Sequence, residues 1–397
     1  MPLEVVIFGQ GYVGLPLAIE ATKAGMLVHG IDIDFNKVEQ IRSGISPVMD
    51  IANEEISSMI SSQTYKVNEN TDFKSSTNVI CVCVPTPLDS FYKPDLTILK
   101  MALQSVAAGL KPGMLVIIES TIQPGATREF VLPLLESLSG LNRNQFLLAF
   151  SPERIDPANK IWNLKNTPKL VAGLTDSAAL SAKEFYSQFI KDIEICSSLE
   201  VAETAKLLEN SFRLVNISLI NEVSFFCNKI GIEISDVINA ASSKPYGFMA
   251  FHPSIGAGGH CIPIDPVYLS TKATELNSPI NMIDLAHKIN KSIPVRVVER
   301  AENLLGNLDG KKILIVGVAY KPNVSDTRET AAQDLISKLI SKGAKVFWHD
   351  DLVGEWNGEK SSSLSDKYDL AIIVSLHDYL NLEALGKIPI INTRNSI

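Results

Sequence analysis

Short apolar segments alternate with helical patterns over the first part of the chain. The strand-like segments are β-branched or apolar and end near Gly, Pro or polar residues, at 5–8, 26–31, 79–84, 115–119 and 146–150. Helical periodicity lies between them, for example over 15–24 and 97–109. Such apolar runs are typical of strands buried on both faces of a parallel sheet. The alternation therefore predicts an α/β, doubly wound, Rossmann-like lobe.

The pattern changes near residue 200. Residues 199–231 have no turn signal and are apolar almost all round, through Leu207, Leu208, Phe212, Val215, Leu219, Ile220, Val223 and Phe226. This predicts one long buried helix, which a second subunit could partly cover. A Gly- and Pro-rich loop (242–259) and another helix (283–305) follow. Strands at 312–318, 344–349 and 370–375 and a helix at 330–342 predict a second, smaller α/β lobe. We expect domains at 1–198, 199–305 and 306–397.

Composition and charge exclude several classes of partner. Apolar residues make up 46% and charged residues 20%, as in ordinary globular enzymes. The net charge of −8 argues against nucleic acid and anionic membranes as partners. No apolar run of about 18 residues and no secretory signal pattern is present, so no membrane association is expected. The odd count of 5 cysteines predicts a reduced, cytoplasmic protein.

A glycine-rich turn follows the first predicted strand and opens a helix. It reads Gly9, Gln10, Gly11, Tyr12, Val13, Gly14. Glycines here permit a tight turn, close approach of backbone to a pyrophosphate and close helix–strand packing. Asp32 ends the second strand, where a carboxylate binds ribose hydroxyls and repels a 2′-phosphate. The combination predicts NAD, the alternative being a glycine turn without a ligand.

The second lobe has only Gly317 in the matching turn. That turn indicates a different phosphate-bearing ligand, or a lobe that only packs.

The stretch GAGGHCIPIDP, residues 256–266, is the most informative for chemistry. Glycines before Cys261 let backbone approach a ligand and leave the thiol accessible. Asp265 reaches the same pocket if the segment turns helically. A thiolate attacks aldehydes, so a cysteine near a nicotinamide site suggests a thiohemiacetal route, with a buried structural cysteine as the alternative. Neighbouring His260 lacks a second Cys or His pair at metal spacing, so no metal is predicted and His260 is interpreted as structural or substrate-lining.

Further polar residues fall where a ligand site is expected. On the long helix, Glu203, Lys206, Asn210 and Arg213 share one face. Such a stripe is usually the solvated side of a helix, but on an otherwise apolar helix we expect it to be desolvated. Lys206 and Asn210 could then stabilise an oxyanion or orient water. Other polar residues follow three strands, at the edge where open α/β sheets bind ligands: Thr86, Glu119, Ser120, Thr121, Ser151, Glu153 and Arg154. Glu153 is a candidate base, or else a surface glutamate. Cys81 and Cys83 alternate with valines and are predicted to be core.

Together these stretches resemble the UDP-sugar 6-dehydrogenase family, which includes UDP-glucose and UDP-N-acetylhexosamine dehydrogenases. The resemblance runs in order over nearly the whole chain, through GQGYVGLPLA, GIDIDFNKV, CVCVPTP, ESTIQPGAT, SPERIDP, ETAKLLENSFR, GAGGHCIPIDP and AYKPNVSDTRE. It implies NAD-dependent oxidation of the C6 hydroxyl of a UDP-sugar to a carboxylate, through a thiohemiacetal and then a thioester on the cysteine. It also implies a homodimer whose core is the long central helix.

The resemblance implies a role for each matching residue. Cys261 is the nucleophile and Lys206 stabilises oxyanions. Asn210 and Asp265 orient water and the reacting centre, Thr121 positions a water or the sugar hydroxyl, and Glu153 activates water for thioester hydrolysis. The implied NAD contacts are Gly9, Gly11, Tyr12, Val13, Gly14, Asp32, Lys37, Thr86, Thr121 and Arg328. The implied UDP-sugar contacts are Glu153, Arg154, Lys206, Asn210, Lys244, His252, Gly258 and Lys321.

The same resemblance narrows the substrate. GGHCIP and SPER are similar to the N-acetylhexosamine branch, and the continuation IPIDP favours UDP-N-acetylglucosamine or -galactosamine over UDP-N-acetylmannosamine. UDP-glucose is an alternative, but Pro245 stands where the glucose branch has an arginine, with Lys244 beside it as a candidate replacement. A hydroxyacid dehydrogenase with a lysine on its central helix would leave Cys261 and the second lobe without a role. A non-catalytic sensor of NAD or nucleotide sugar would have no need of the complete set of chemical residues.

Overall fold

The computed structural model describes residues 2–49, 51–70, 76–156, 158–159 and 161–394. The chain divides into two compact units, Met1–Leu208 and Glu209–Ile397. Each unit is built on a sheet of mainly parallel strands covered by helices, as the sequence predicts. The helix α7, Leu199–Ile230, begins in the first unit and ends in the second.

The first unit contains, among the described residues, an eight-stranded sheet in the order β3-β2-β1-β4-β5-β6-β7-β8. Its strands are β1 Glu4–Phe8, β2 Leu27–Ile31, β3 Tyr65–Asn68, β4 Thr77–Val82, β5 Leu115–Ile118, β6 Leu147–Phe150, β7 Lys169–Gly173 and β8 Ile193–Ile195. Its helices are α1 Gly14–Lys23, α2 Phe35–Arg42, α3 Asn53–Ser61, α4 Thr97–Gly109, α5 Leu132–Ser139 (after a π-helical turn, Thr127–Val131) and α6 Asp176–Tyr186. Neighbouring strands are parallel except β6 and β7, which are antiparallel.

Both faces of this sheet are buried. On β1, Val5 and Ile7 belong to one apolar cluster, and Val6 and Phe8 belong to the cluster on the opposite face. Successive strand residues point to opposite faces, so a strand covered on both sides must be apolar throughout. Burial of each such side chain stabilises the fold by about 1.5–3 kcal/mol. The predicted both-face burial is therefore confirmed.

The long helix α7 lies where the sequence predicts it, but this chain alone does not bury it on all sides. Leu208, Phe212, Leu219 and Phe226 are 59%, 46%, 56% and 61% exposed. These four side chains recur at helical spacing and form one stripe, which we call the α7 apolar stripe. Other sides of the helix are buried, for example at Leu207 and Leu214. Among the described residues, no helix combines the length and apolar character needed to cross a membrane.

The second unit contains a four-stranded parallel sheet, in the described part of the chain, ordered β10-β9-β13-β14. Its strands are β9 Lys312–Val316, β10 Lys345–His349, the hairpin β11 Glu355–Trp356 and β12 Glu359–Lys360, β13 Leu370–Ile373 and β14 Ile390–Asn392. Its further helices are α8 Ile234–Ser242, α9 Asp265–Glu275, α10 Asn281–Leu305 and α11 Ala331–Ser341. The predicted second α/β lobe is confirmed, with strands slightly shorter than expected.

Candidate active site

In the glycine turn after β1, two of the glycines are required by packing, and the third leaves space for a ligand. A Cβ on Gly9 would lie 2.5 Å from the carbonyl oxygen of Cys83, and one on Gly14 would lie 1.8 Å from that of Gly9. Packing therefore excludes side chains at both positions. A Cβ on Gly11 would meet nothing within 4 Å. Open space there leaves room for a pyrophosphate to approach the backbone at the start of α1, so the turn fits the predicted dinucleotide.

Asp32, at the end of β2, is held facing this glycine turn. Its Oδ2 accepts hydrogen bonds from the Gln10 N–H and the Lys37 ammonium, both at 2.8 Å, and its Oδ1 accepts one from the Asp34 N–H at 3.0 Å. The Tyr65 hydroxyl fixes the Gln10 side chain by donating to Oε1 at 2.7 Å. Each carboxylate oxygen has two acceptor positions, so within the described contacts Oδ1 retains one for a ribose hydroxyl.

The carboxyl ends of β4 and β5 bring two predicted cofactor residues together. The Thr86 hydroxyl donates to the carbonyl oxygen of Thr121 at 2.7 Å. The loop that continues from Thr121 is anchored by Glu203, whose carboxylate accepts the N–H groups of Gly125 (2.6 Å) and Thr127 (2.9 Å). Burial raises the pKa of Glu203 even though these hydrogen bonds oppose the shift. The first member of the polar stripe on α7 thus fixes the loop that carries Thr121.

Glu153 is not a surface glutamate. Its side chain, just beyond β6, is 12% exposed, and its Oε2 accepts a hydrogen bond from the Lys169 ammonium at 3.1 Å. Lys169 also donates to Glu119 at 2.7 Å, and Tyr186 donates to the same glutamate at 2.6 Å. Sequence reasoning missed Lys169 and Tyr186. The available signal was a lysine at the start of an otherwise apolar strand.

Cys261 differs from the other cysteines in its exposure. It is exposed, whereas Cys81, Cys83 and Cys227 are buried and Cys196 is half-buried. The carbonyl oxygen of Cys261 accepts from the N–H groups of Ile264 (3.2 Å) and Asp265 (2.9 Å), so the segment does turn helically into α9. The alternative of a buried structural cysteine is therefore wrong for Cys261, and the prediction that Cys81 and Cys83 are core is confirmed.

Asn210 and Asp265 meet in the interior of the second unit. The Asn210 Nδ2 donates to the Asp265 Oδ2 at 2.6 Å, and both side chains are buried. Lys206, in the preceding turn of α7, is buried as well. Arg213 is exposed, so its expected place on the desolvated stripe is wrong. It lies where α7 turns that face towards solvent, and a guanidinium is more stable there than in the interior.

The glycines before Cys261 admit protein backbone and a ring. A Cβ on Gly258 would lie 2.8 Å from the carbonyl oxygen of Glu329, and one on Gly259 would lie 2.8 Å from the Tyr320 ring. The Gly259 N–H donates to the carbonyl oxygen of Arg328 at 3.1 Å. The AYKPNVSDTRE segment therefore packs directly against the GAGGHC segment. Gly258 and Gly259 are therefore required by packing within the protein, whereas the sequence pattern suggests that these glycines allow the approach of a ligand.

Two neighbours complete the surroundings of this segment. The Asn290 amide makes two hydrogen bonds with the backbone of Ala257, accepting its N–H at 2.6 Å and donating to its carbonyl oxygen at 3.2 Å. Burial, followed by the positive charge of Arg328, lowers the pKa of the half-buried His260. Among the described residues, no group of three or more His, Cys, Asp or Glu side chains could hold a metal ion.

The turn after β9 is similar to the turn after β1, except that its acidic residue is hydrogen-bonded to a histidine side chain. Asp350 follows β10 as Asp32 follows β2, and its Oδ2 accepts the Val318 N–H at 2.9 Å. Its Oδ1 lies 3.0 Å from the Nε2 of His377, whose Nδ1 accepts the Asn323 N–H at 2.8 Å. His377 therefore carries its proton on Nε2 and donates it to Asp350. A fully buried carboxylate engaged in this way is not presented to a ribose, which fits a lobe for a different ligand.

The remaining candidates lie at the surface or in local pairs. The Lys244 ammonium lies 5.0 Å from the ring centroid of Tyr246, and the Lys321 ammonium lies 5.7 Å from that of Tyr320. Arg328 forms an ion pair with Asp326 (2.6 Å), Arg154 donates to the carbonyl oxygen of Pro168 (2.7 Å), and His252 is exposed.

Comparison with known proteins identifies the family. The UDP-glucose/GDP-mannose dehydrogenase family matches through its NAD binding domain (residues 3–190), central domain (200–292) and UDP binding domain (314–394). The chain is 36% identical to UDP-N-acetyl-D-glucosamine 6-dehydrogenase of Pseudomonas aeruginosa, over 88% of this chain and 83% of that protein.

Two solved structures share the whole fold. The UDP-D-ManNAc dehydrogenase of Pyrococcus horikoshii has a TM-score of 0.91 and 32% identity, over 100% of this chain and 96% of that one. The NDP-N-acetyl-D-galactosaminuronic acid dehydrogenase of Methanosarcina mazei has a TM-score of 0.81 and 26% identity, over 100% and 92%. The chain therefore belongs to the UDP-glucose/GDP-mannose dehydrogenase family and is an NAD-dependent nucleotide-sugar dehydrogenase.

Proposed function

We propose that the enzyme oxidises the C6 hydroxyl of a UDP-N-acetylhexosamine to a carboxylate, with Cys261 as the nucleophile. The observation that carries the proposal is the turn at Cys261. An exposed thiol opens α9, and one helical turn later the buried Asp265 is hydrogen-bonded to Asn210. A thiolate that captures the aldehyde as a thiohemiacetal keeps a reactive intermediate on the enzyme and divides a difficult oxidation into easier steps. The oxidised thiohemiacetal is a thioester, which water then cleaves.

Each remaining catalytic candidate has a role that its chemistry supports. The Lys206 ammonium stabilises the oxyanions that form at the reacting carbon. Asn210 and Asp265 orient water and the reacting centre as one hydrogen-bonded pair. Thr121 positions the sugar hydroxyl or a water, and Glu153 accepts a proton from the water that cleaves the thioester.

NAD, when bound, accepts the hydrides that leave the C6 carbon. Its contacts in the proposal are Gly9, Gly11, Tyr12, Val13, Gly14, Asp32, Lys37, Thr86, Thr121 and Arg328. The support comes from the open space at Gly11 and from the acceptor position retained by Asp32. A carboxylate at this position favours NAD over NADP, because it repels a 2′-phosphate.

The UDP-sugar is bound, in the proposal, by Lys321 at its phosphates and by Glu153, Arg154, Lys206, Asn210, Lys244, His252 and Gly258. The named relatives act on N-acetylhexosamine derivatives, which supports this substrate class. UDP-N-acetylglucosamine or -galactosamine is favoured by the IPIDP continuation, with UDP-N-acetylmannosamine next. UDP-glucose is the alternative, and Pro245 argues against glucose-type contacts. Three functional domains, 1–198, 199–305 and 306–397, belong to the same proposal.

A homodimer is also proposed, because the α7 apolar stripe exposes four large side chains. Contiguous exposed apolar surface of this kind marks an interaction site, and a second copy of the same helix would cover it symmetrically. Sedimentation should give a dimer for the natural chain. A Leu219→Glu, Phe226→Glu double variant should sediment as a monomer, and a dimer that persists in this variant would contradict the stripe as interface.

The decisive test is an end-point assay with excess NAD. The protein is mixed separately with UDP-glucose and with UDP-N-acetylglucosamine, -galactosamine and -mannosamine, and NADH absorbance is followed until it stops rising. Two NADH per sugar, with one N-acetylhexosamine preferred, are expected. Cys261→Ala should lose turnover, while the half-buried control Cys196→Ala should keep it. Full turnover by Cys261→Ala would favour a hydroxyacid dehydrogenase, and NAD binding without NADH from any sugar would favour a sensor.

A further inference from the structure

Four polar side chains are buried together beneath the edge of the first sheet. They are Glu119 after β5, Glu153 after β6, Lys169 at the start of β7 and Tyr186 at the end of α6. The Lys169 side chain is 3% exposed and that of Glu119 is 0% exposed. Lys169 donates to both carboxylates, at 2.7 Å and 3.1 Å, and Tyr186 donates to Glu119 at 2.6 Å. We call this set the Lys169 network.

The topology of the sheet explains how Lys169 reaches this edge. In a parallel strand, the first residue lies at the edge opposite to the one where ligands bind. Because β7 is antiparallel to β6, its first residue instead lies at the ligand-binding edge, next to the carboxyl end of β6. The hydroxyl of Ser151 donates to the carbonyl oxygen of Leu170 at 2.7 Å and holds the two segments together. The reversal of direction between β6 and β7 thus places an ammonium beside Glu153.

The network has more charge than a structural pair requires. One lysine and one glutamate would neutralise each other, and even such a pair is often no more stabilising than apolar residues of similar volume. Here a second carboxylate shares the same ammonium. Glu119 is enclosed, whereas Glu153 retains 12% exposure at the edge of the sheet. The outer carboxylate is therefore the one that can meet a reactant.

The contacts of Glu153 leave it one way to act. Its Oε1 accepts the N–H groups of Arg154 and Ile155, at 2.6 Å and 2.7 Å, and its Oε2 accepts from Lys169. A carboxylate has about four acceptor positions, so among the described contacts one position remains, on Oε2. The ammonium on the other side of that oxygen fixes the direction in which the remaining position points.

We propose that Lys169, supported by Glu119 and Tyr186, is a positioning residue that holds the Glu153 carboxylate in one orientation for thioester hydrolysis. The inference rests on the proposed function, in which water attacks the acyl carbon on Cys261. In that step the new carbon–oxygen bond forms, the carbon–sulfur bond breaks with its electron pair leaving on the thiolate, and one proton of the water passes to Glu153. Lys169 touches neither the acyl group nor the water. It acts only through Glu153.

The charges around Glu153 agree with this assignment. Burial alone would raise the pKa of Glu153, but the Lys169 ammonium, and then the two backbone N–H groups, outweigh it and lower that pKa. Burial and the charge of Glu153 raise the pKa of Glu119, and the opposing effects of Lys169 and Tyr186 only partly offset this increase. Burial also raises the pKa of the nearby Cys81 and Cys83 thiols, which stay neutral near pH 7. Of the two carboxyl groups, the outer one, Glu153, therefore has the lower pKa.

The test separates the hydride transfers from hydrolysis. Lys169→Gln is mixed with excess NAD and the UDP-sugar that the natural chain prefers, and NADH is followed from the first turnover, with intact-mass measurement of the protein. A rapid burst of NADH, a uronyl adduct on the enzyme and hydrolysis slowed about 100-fold or more are expected, since a positioned base contributes roughly 10²–10⁴-fold. Because removal of the ammonium raises the pKa of Glu153, the acid limb of the turnover rate should move to higher pH.

Further variants keep the test decisive. Lys169→Arg retains the cation and should recover hydrolysis to within about tenfold of the natural chain, while Glu153→Gln should show the same adduct as Lys169→Gln. If Lys169→Gln does not fold, Tyr186→Phe, which removes one donor to Glu119, should show a smaller accumulation of the same adduct. Equal slowing of burst and hydrolysis, or no adduct in any variant, would overturn the inference while the proposed function stands. No NADH from the natural chain with any UDP-sugar would overturn both.

Discussion

The side-chain amide of Asn210 donates a 2.6 Å hydrogen bond to the carboxylate of Asp265, although the two residues are 55 positions apart. Both side chains are buried, so this bond supplies part of the solvation that the carboxylate loses on folding. We expect Asn210→Ala to lower the free energy of unfolding by about 1–3 kcal/mol, because the buried carboxylate loses this hydrogen-bond donor. In the proposed mechanism it should also lower turnover. Urea unfolding and steady-state kinetics measure the two effects.

A double-mutant cycle with Asp265→Ala tests the pair itself. Removal of both partners should cost less than the sum of the single changes, with a coupling of about 0.5–3 kcal/mol. Asn216→Ala, on the same helix but with its amide bonded only to the carbonyl oxygen of Phe212 in the described contacts, is the matched control. Additive effects of Asn210→Ala and Asp265→Ala would show that the bond is not energetically important.

Asp32 predicts the choice of cofactor. Its carboxylate accepts from the Gln10 N–H and from Lys37, and it stands where the 2′-position of the cofactor is expected. Asp32→Ser should lower kcat/KM for NAD by about 10–100-fold, since a hydrogen bond to a charged group contributes about 1.5–3 kcal/mol. It should raise kcat/KM for NADP, because the repulsion of a 2′-phosphate is removed. Asp34→Ser, which alters the neighbouring helix cap, is the control and should leave the NAD/NADP ratio unchanged.

Sequence reasoning located the elements that depend on local pattern. Apolar runs predicted the central strands, because these runs depend on neighbouring residues. The helical turn between Cys261 and Asp265 was only a condition for the two to share a pocket, and the structure contains that turn. Shorter elements, such as β3, β7 and β8, were not predicted. Their apolar periodicity is too short to stand out from that of loops.

Relations that depend on topology could not be predicted in the same way. Lys169 reaches Glu153 only because β7 is reversed, and Tyr186 joins them from the end of a helix 67 positions after Glu119. The sequence predicts that α7 is apolar almost all round, but this pattern does not show which side the chain itself buries and which side it leaves exposed as the α7 apolar stripe. The glycines before Cys261 predict space for a ligand. Which atoms occupy that space, in this case Tyr320, depends on the tertiary fold.

Asp350 should make the stability of the second unit depend on pH in the acid range. Burial alone would raise the pKa of Asp350, but the hydrogen bonds from His377 and from backbone N–H groups outweigh it and lower that pKa. The pKa in the unfolded chain is about 3.9. The carboxylate therefore contributes stability that is complete above that pH and is lost as pH falls through its lower, folded-state pKa.

The corresponding variant is Asp350→Asn. It should lower the free energy of unfolding at pH 7 by about 1.5–3 kcal/mol, because it weakens the hydrogen bonds that His377 and backbone N–H groups donate to a buried carboxylate. The difference from the natural chain should narrow as urea unfolding is repeated towards pH 3. Asp351→Asn, next in the chain but with a half-exposed side chain, should change stability by less than about 0.5 kcal/mol. A difference that stays constant with pH would contradict the assigned role of the Asp350 charge.

Alanine substitutions at two glycines of the first turn should affect different properties, NAD affinity at Gly11 and stability at Gly14. Gly11→Ala adds a methyl group where nothing lies within 4 Å, so stability should change by less than about 1 kcal/mol. If that space receives the pyrophosphate, the dissociation constant for NAD should rise at least about tenfold, a loss of roughly 1.4 kcal/mol in binding free energy.

Gly14→Ala places its Cβ 1.8 Å from the carbonyl oxygen of Gly9, and this overpacking should destabilise the first unit by about 3 kcal/mol. Thermal unfolding without cofactor and calorimetric titration with NAD separate the two effects. A stable Gly11→Ala protein that binds NAD as tightly as the natural chain would mean that the open space at Gly11 has another purpose, and the cofactor assignment of this turn would then rest on Asp32 alone.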